Sequence, residues 1–181
     1  MNILVIGGGA REHSICWAIK NSKNCKKLFC APGNAGISKI AICQSIDFEN
    51  KRNLLNFCRE KNIDLVIIGP EKLLGDGLSD YLTSKNIKVF GPSQRASKLE
   101  TSKIFAKKFL KNNNIKTAKF ETFNSIESAK KFLFKVEYPV VLKADGLASG
   151  KGVLICNNKK EAENGLTLLM KKKKFGDAGK Q

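Results

Sequence analysis

Residues 2–13, NILVIGGGAREH, decide the fold. Five residues of mostly apolar strand-forming character run into Gly7-Gly8-Gly9, and a helical pattern follows over residues 10–21, with Ile15, Ala18 and Ile19 expected on one face. Free backbone N–H groups at a helix N-terminus favour an anion, and glycines let a ligand come close. The dinucleotide fingerprint G-x-G-x-x-G is met by Gly7 and Gly9 but fails at Glu12. Ala31-Pro32-Gly33 stands where the acidic residue at the end of the second strand would be. NAD binding is therefore disfavoured. A phosphate-type site and a tight turn that merely packs the helix on the sheet both remain open. Arg11, Glu12 and His13 fall in the first helical turn, where they either face a ligand or form a charge cluster at the positive helix end. No acid–base role is assigned to His13.

Outward from this stretch, strand and helix alternate. Residues 27–31 form a second strand closed by Pro32-Gly33-Asn34-Ala35-Gly36, and residues 41–43 a short third. Residues 50–61 are helical. Residues 64–68, DLVII, read as a central parallel strand buried on both faces, ended by Gly69-Pro70. A helix over 75–85 and a strand over 88–90 follow. This is an α/β pattern, an open parallel Rossmann-like sheet with helices on both sides. The rhythm then changes. Residues 93–113 read as two helices broken near Glu100-Thr101, 119–123 as a strand, 125–135 as a helix, 140–144 and 152–156 as strands, and 159–174 as a helix. A boundary near 101 divides the chain into residues 1–101 and 102–181.

Composition narrows the function. The chain has 181 residues, with 33 basic against 16 acidic side chains, a net charge of +17. Such a charge attracts polyanions. However, 29 of the 33 are lysines, spread along the chain, and only four are arginines, the residue favoured for base-edge and bidentate phosphate readout. A generic basic surface fits better than a specific nucleic-acid protein. The phenylalanines, Phe105 with Phe109 and Phe132 among them, sit at core-like spacing and are expected to pack rather than stack on bases. No apolar run approaches the about 20 residues of a membrane-spanning helix, and the first residues lack the pattern of a secretory signal. No membrane association and a cytoplasmic location are expected. Six cysteines show no C-x-x-C spacing and one histidine is present, which argues against zinc and for free thiols in a reducing compartment.

Residues 140–153, VVLKADGLASGKGV, are the second informative stretch. A Walker A loop would read G-x-x-x-x-G-K-[ST]. Here Gly146 to Gly150 is one residue short, Gly152 replaces the hydroxyl residue, and a strand rather than a helix follows. The pattern is a glycine-rich hairpin flap whose N–H groups can lie over phosphate oxygens, with Lys143 and Lys151 supplying charge. An ordinary hairpin with exposed lysines is the alternative. Lys143 ends an apolar strand, so it is expected to be buried, a costly place for an unpaired ammonium.

GGGAREH, APGNAG, GPE, FGPS, LETSKIFAKKFL, VVLKADGLASGKGV and FGDAG occur in an order and spacing that resemble the phosphoribosylamine–glycine ligase (glycinamide ribonucleotide synthetase) family of the ATP-grasp superfamily. The resemblance covers the whole chain; Leu73 stands where the family usually has a proline. It implies a Rossmann-like substrate domain over 1–101 and the first part of an ATP-grasp domain over 102–181. It implies ATP-dependent ligation of glycine to 5-phosphoribosylamine, giving glycinamide ribonucleotide, ADP and phosphate. Lys103, Lys143, Gly146, Ser149, Gly150, Lys151 and Gly152 would contact ATP. Gly7, Gly9, Arg11, Glu12, His13, Gly33, Asn34, Ala35, Gly36, Gly69, Pro70 and Glu71 would form the phosphoribosylamine side. Magnesium or manganese would be held by family residues beyond this chain, so neither Asp145 nor Asp177 is assigned as a ligand, and no catalytic residue is assigned. Family members are more than twice this length. The chain is then either a fragment or the partner of a separate chain supplying the rest. A non-catalytic nucleotide- or phosphoribosyl-binding module is the alternative function.

Overall fold

A computed structural model describes residues 1–48, 50–147 and 152–171. The chain divides into two compact units, Met1–Ser97 and Lys98–Gln181.

The first unit is built on a five-stranded sheet of β1 (Asn2–Gly7), β2 (Lys27–Pro32), β3 (Ile42–Cys43), β4 (Leu65–Ile68) and β5 (Val89–Phe90). Its order is β3-β2-β1-β4-β5, and every pairing is parallel. The chain winds from β1 through β2 to β3, then crosses back to place β4 on the other side of β1. Side chains alternate across a strand, so β1 feeds two cores. Leu4 and Ile6 join Val66, Ile68 and Phe29 beneath α2 (Lys51–Glu60), α3 (Glu71–Gly75) and α4 (Leu78–Thr83). Ile3 and Val5 join Leu28, Cys30 and Ile37 beneath α1 (Ala10–Lys20). β4 shows the double-sided burial its apolar run predicts: Val66 and Ile68 face the first core, Leu65 and Ile67 the second. Asn50 starts α2 by accepting hydrogen bonds from the N–H groups of Arg52 and Asn53, at 3.1 and 3.4 Å.

Several local expectations are corrected. α1 buries Cys16 and Glu12, with Ile15 and Ile19 at the margin, while Ala18 is exposed. The helix expected over 75–85 is confined to α4, which starts at Leu78 because Gly77 adopts φ +76° ahead of it, and the separate short helix α3 precedes it. Leu73 lies within α3 and packs against the first core.

The second unit opens with the end of α5 (Gln94–Thr101), then α6 (Lys103–Asn112) and α7 (Ile126–Leu133), the antiparallel hairpin β6 (Val140–Lys143) and β7 (Val153–Cys156), and α8 (Lys159–Leu166). The break between α5 and α6 falls at Ser102, whose hydroxyl accepts from Phe105 N–H at 3.0 Å. One face of the hairpin, Val140, Leu142, Leu154 and Cys156, packs on α7 and α8. Gly165 lets α8 lie close, since a Cβ there would stand 2.8 Å from Leu142 Cδ1. The opposite face carries Val141, Lys143, Val153 and Ile155, all exposed. Lys143 therefore points away from the core, and the expected burial of its ammonium is overturned: the apolar strand covers helices on one face only. Residues 119–123 form no strand. α8 gives way to a π-helical turn at Thr167–Lys171. Phe105, Phe109 and Phe132, expected as core, are 37%, 39% and 36% exposed.

Leu4 is fully buried in the central strand. Leu4→Ala should cost about 2–5 kcal/mol, the sum of lost transfer energy and an unfilled cavity, measured as a lowered denaturation midpoint. A loss below about 1 kcal/mol would contradict this placement.

Candidate functional site

Three loops leave the C-terminal ends of β1, β2 and β4, where an open parallel sheet reverses its winding and ligands bind. The first, Gly7-Gly8-Gly9, leads into α1. The second, Pro32 to Gly36, is wrapped around Asn34: its Nδ2 donates to Gly8 O at 2.8 Å, and its Oδ1 accepts from the N–H groups of Gly36 and Ile37 at 2.8 and 2.9 Å. Gly33 N–H donates to Gly7 O at 3.2 Å. Gly33 itself has φ +74°. A Cβ on Gly8 would strike the Gly33 carbonyl oxygen, and one on Gly36 would strike the His13 ring. His13 is thus set against the second loop.

The third loop, Gly69-Pro70-Glu71, is tied to the first by charge. Glu12 is 4% exposed. Its Oε2 accepts from Gly9 N–H at 2.7 Å, and its Oε1 from Arg11 Nε at 2.9 Å. Arg11 reaches onward, donating through Nη1 to Glu71 Oε1 at 2.6 Å and through Nη2 to Gly69 O at 2.5 Å. The two carboxylates, Glu71 foremost, raise the Arg11 pKa further. Arg11 in turn holds the Glu71 carboxyl below its ordinary value. Glu12 also occupies the space that a side chain at Gly7 or Gly69 would need. The structure thus brings Gly7, Gly9, Arg11, Glu12, His13, Gly33, Asn34, Gly36, Gly69 and Glu71 into one interlocked loop cluster, with Ala35 and Pro70 in the same loops. Gly9 and Ala35 are exposed at its surface.

Three thiols lie behind the cluster. Cys30 donates to Gly7 O at 3.3 Å. Contact with Cys16 and burial raise its pKa, and burial raises that of Cys43. The Cys30 and Cys43 thiols, both pushed up, stay protonated at neutral pH.

In the second unit Lys103 Nζ donates to Gly146 O at 2.8 Å. Asp145, which the sequence pattern did not single out for a site role, makes the stronger link. Ser102 Oγ donates to both of its oxygens, at 3.2 and 3.0 Å, and Ile104 N–H to Oδ1 at 3.0 Å. A residue of the flap turn thereby caps α6. Only the spacing of Ser102 and Asp145 across a fold contact reveals this, so periodicity could not. Gly146 takes φ +108°, and Ala144 N–H donates to Gly152 O at 2.9 Å to close the hairpin. Ser149, Gly150 and Lys151 lie outside the described residues. Among the described residues no three His, Cys, Asp or Glu side chains converge as a metal site, and the Asp145 carboxylate is already committed.

A Rossmann-like unit with glycine loops at its switch point, followed by a lysine-bearing glycine hairpin, defines the opening part of an ATP-grasp protein. The chain belongs to the phosphoribosylglycinamide synthetase family: residues 1–100 match its N domain and residues 101–181 its ATP-grasp (A) domain. A phosphoribosylamine–glycine ligase of Clostridium acetobutylicum is 42% identical over 181 residues, which is 100% of this chain and 44% of that one. The crystal structure of the Thermotoga maritima phosphoribosylamine–glycine ligase superposes with a TM-score of 0.77 at 31% identity, over 98% of this chain and 41% of that one. A Campylobacter jejuni biotin carboxylase, crystallised as a β,γ-ATP complex, shares the fold with a TM-score of 0.77 at 22% identity, over 98% and 43% of the two chains. The chain thus spans less than half the length of the relatives it matches.

Two outcomes follow from the geometry. Because the Glu71 carboxyl is lowered in the folded state, its contribution is complete above the ordinary value of 4.5 and is lost as pH falls through the folded value. The gap in melting temperature between wild type and Glu71→Gln should be largest near neutral pH and close on acidification. The effect is at most about 1 kcal/mol for so exposed a pair; a gap constant from pH 7 to 3 would refute it. Asp145→Ala should speed hydrogen exchange at the Ile104 amide by roughly tenfold, the loss of a helix cap worth about 0.5–2 kcal/mol. Unchanged exchange would show that the cap contributes nothing.

Proposed function

We propose that this protein is part of an ATP-dependent ligase that joins glycine to 5-phosphoribosylamine, giving glycinamide ribonucleotide, ADP and phosphate in purine biosynthesis. The observation that carries the reading is the convergence of the GGGAREH, APGNAG and GPE loops at the C-terminal end of the parallel sheet, in a chain whose relatives are named for this activity. Glycine's carboxylate oxygen would attack the γ-phosphorus of ATP, ADP would leave, and the amine of phosphoribosylamine would displace phosphate from the acyl carbon. Such transfer depends on positioning and charge neutralisation.

We assign residues 1–101 to the phosphoribosylamine side. Its anionic phosphate suits the first turn of α1, since the N–H groups of Gly9, Gly33 and Gly36 are already donated within the loops. Arg11, Glu12 and Asn34 spend most of their polar atoms on one another's loops, which favours a role in shaping the cradle. Residues 102–181 take the nucleotide side. Lys103 would exchange the Gly146 carbonyl for a phosphate oxygen, and the exposed Lys143 can reach a phosphate without any desolvation cost. With Gly146, Ser149, Gly150, Lys151 and Gly152 they make the ATP set. Magnesium or manganese, which would neutralise phosphate charge, finds no fitting ligand group among the described residues and is assigned to residues outside this chain. A second reading, for a stretch that covers less than half the length of its relatives, is binding without turnover. The cytoplasm suits six cysteines that all lack a disulfide.

Calorimetric titration with glycinamide ribonucleotide tests the assignment. The 181-residue chain should bind it, and Gly9→Val should weaken binding at least tenfold, since even a Cβ there stands 3.0 Å from Glu12 Oε2. Equal affinities, or no binding by the wild type, would overturn it.

A further inference from the structure

The first turn of α6 is occupied by side chains. Ile104 N–H donates to Asp145 Oδ1 at 3.0 Å, and Phe105 N–H donates to Ser102 Oγ at 3.0 Å. Ser102 in turn donates its hydroxyl to the Asp145 carboxylate. With these two amides spent, what this turn offers a phosphate is the Lys103 ammonium. Among the described residues, α6 and the glycine turn are joined by two separate links. One is this Asp145 clasp. The other is the 2.8 Å bond from Lys103 Nζ to Gly146 O. On the hairpin side the turn starts from a fixed point, since Ala144 is buried and its N–H donates to Gly152 O.

A phosphate oxygen that takes the Lys103 ammonium breaks the second link and leaves the first. A carboxylate near a polyphosphate is a like charge and opposes its binding. Asp145 can therefore serve the site only through what it holds. We infer that Asp145 is a positioning residue for nucleotide binding, with Ser102 as its partner: the clasp keeps the glycine turn seated on α6 while Lys103 exchanges the Gly146 carbonyl for a phosphate oxygen. The inference rests on the ATP reading of residues 102–181. Without the clasp, the same exchange would cut the remaining link and cost the order of the turn. The role belongs to acceptor geometry and not to charge. Oδ1 receives both Ile104 N–H and Ser102 Oγ, so Asp145→Asn keeps both bonds while removing the like charge.

The test is a titration of the 181-residue chain with ATP at physiological ionic strength, followed by amide chemical shifts below the melting temperature of each variant. Asp145→Ala should weaken binding roughly fivefold and Ser102→Ala by less. Asp145→Asn should bind as tightly as the wild type, or tighter. In a Lys103→Met background Asp145→Ala should change nothing further, because the exchange it supports no longer takes place. A merely structural role predicts instead the same loss with and without Lys103. Should Asp145→Ala prove unfolded, the other two single variants decide: weakened binding in Ser102→Ala with undiminished binding in Asp145→Asn supports the inference, and any other pair of results overturns it. Wild-type affinity in Asp145→Ala, an Asp145→Asn loss equal to that of Asp145→Ala, or an undiminished loss in the Lys103→Met background would each overturn the inference and leave the ATP assignment standing. No ATP binding by the wild type would remove the assignment, and the inference with it.

Discussion

The first unit depends on a buried carboxylate. Glu12 sits at the start of α1 almost out of contact with water, where an ionised group is costly unless it is paired and hydrogen-bonded. Gly9 N–H and Arg11 Nε supply the pairing. Room for it exists only because Gly7 and Gly69 have no side chains. The glycine composition of two motifs thereby has one steric cause, and Arg11 extends the same network to Glu71. Through these contacts two loops far apart in sequence hold one geometry, and Asn34 locks the third against them.

The second unit reaches a comparable result with a different device. Asp145 belongs to the flap turn yet caps α6, so the hairpin and the helix that carries Lys103 share one anchor. Lys143, at the end of β6, lies on the hairpin face turned away from α7 and α8. Lys143 is exposed there, whereas Lys103 is half-buried and its ammonium donates to the Gly146 carbonyl. Under the proposed ATP reading, an exposed Lys143 meets a polyphosphate without the penalty of burial.

Two surfaces of this unit carry apolar side chains on the outside: the outer hairpin face with Val141 and Ile155, and α6 with its stacked phenylalanines. Single exposed apolar residues are ordinary, but a helix with no buried residue is not. The excess of lysine over arginine sits well with this, because dispersed ammonium groups keep an otherwise apolar surface in solution.

Much was legible in the sequence. The alternation of β1, β2 and β4 with helices, the glycine loops at their ends and the break near residue 101 are local patterns, and period and turn chemistry report them directly. The motifs in their order were sufficient for the family. Burial was not legible. Lys143, Phe105 and Phe109 follow patterns that normally mean core, yet whether a face is covered depends on what lies across from it. Gly77 delaying the start of the helix expected from residue 75, and 119–123 remaining outside any sheet, have the same origin: a residue's backbone state depends on partners supplied by tertiary contacts. The roles of Glu12 and Asp145 were likewise decided only by folding. Each is an acid among many in the sequence, and becomes an anchor because the chain's path brings specific N–H donors within 3 Å of its oxygens.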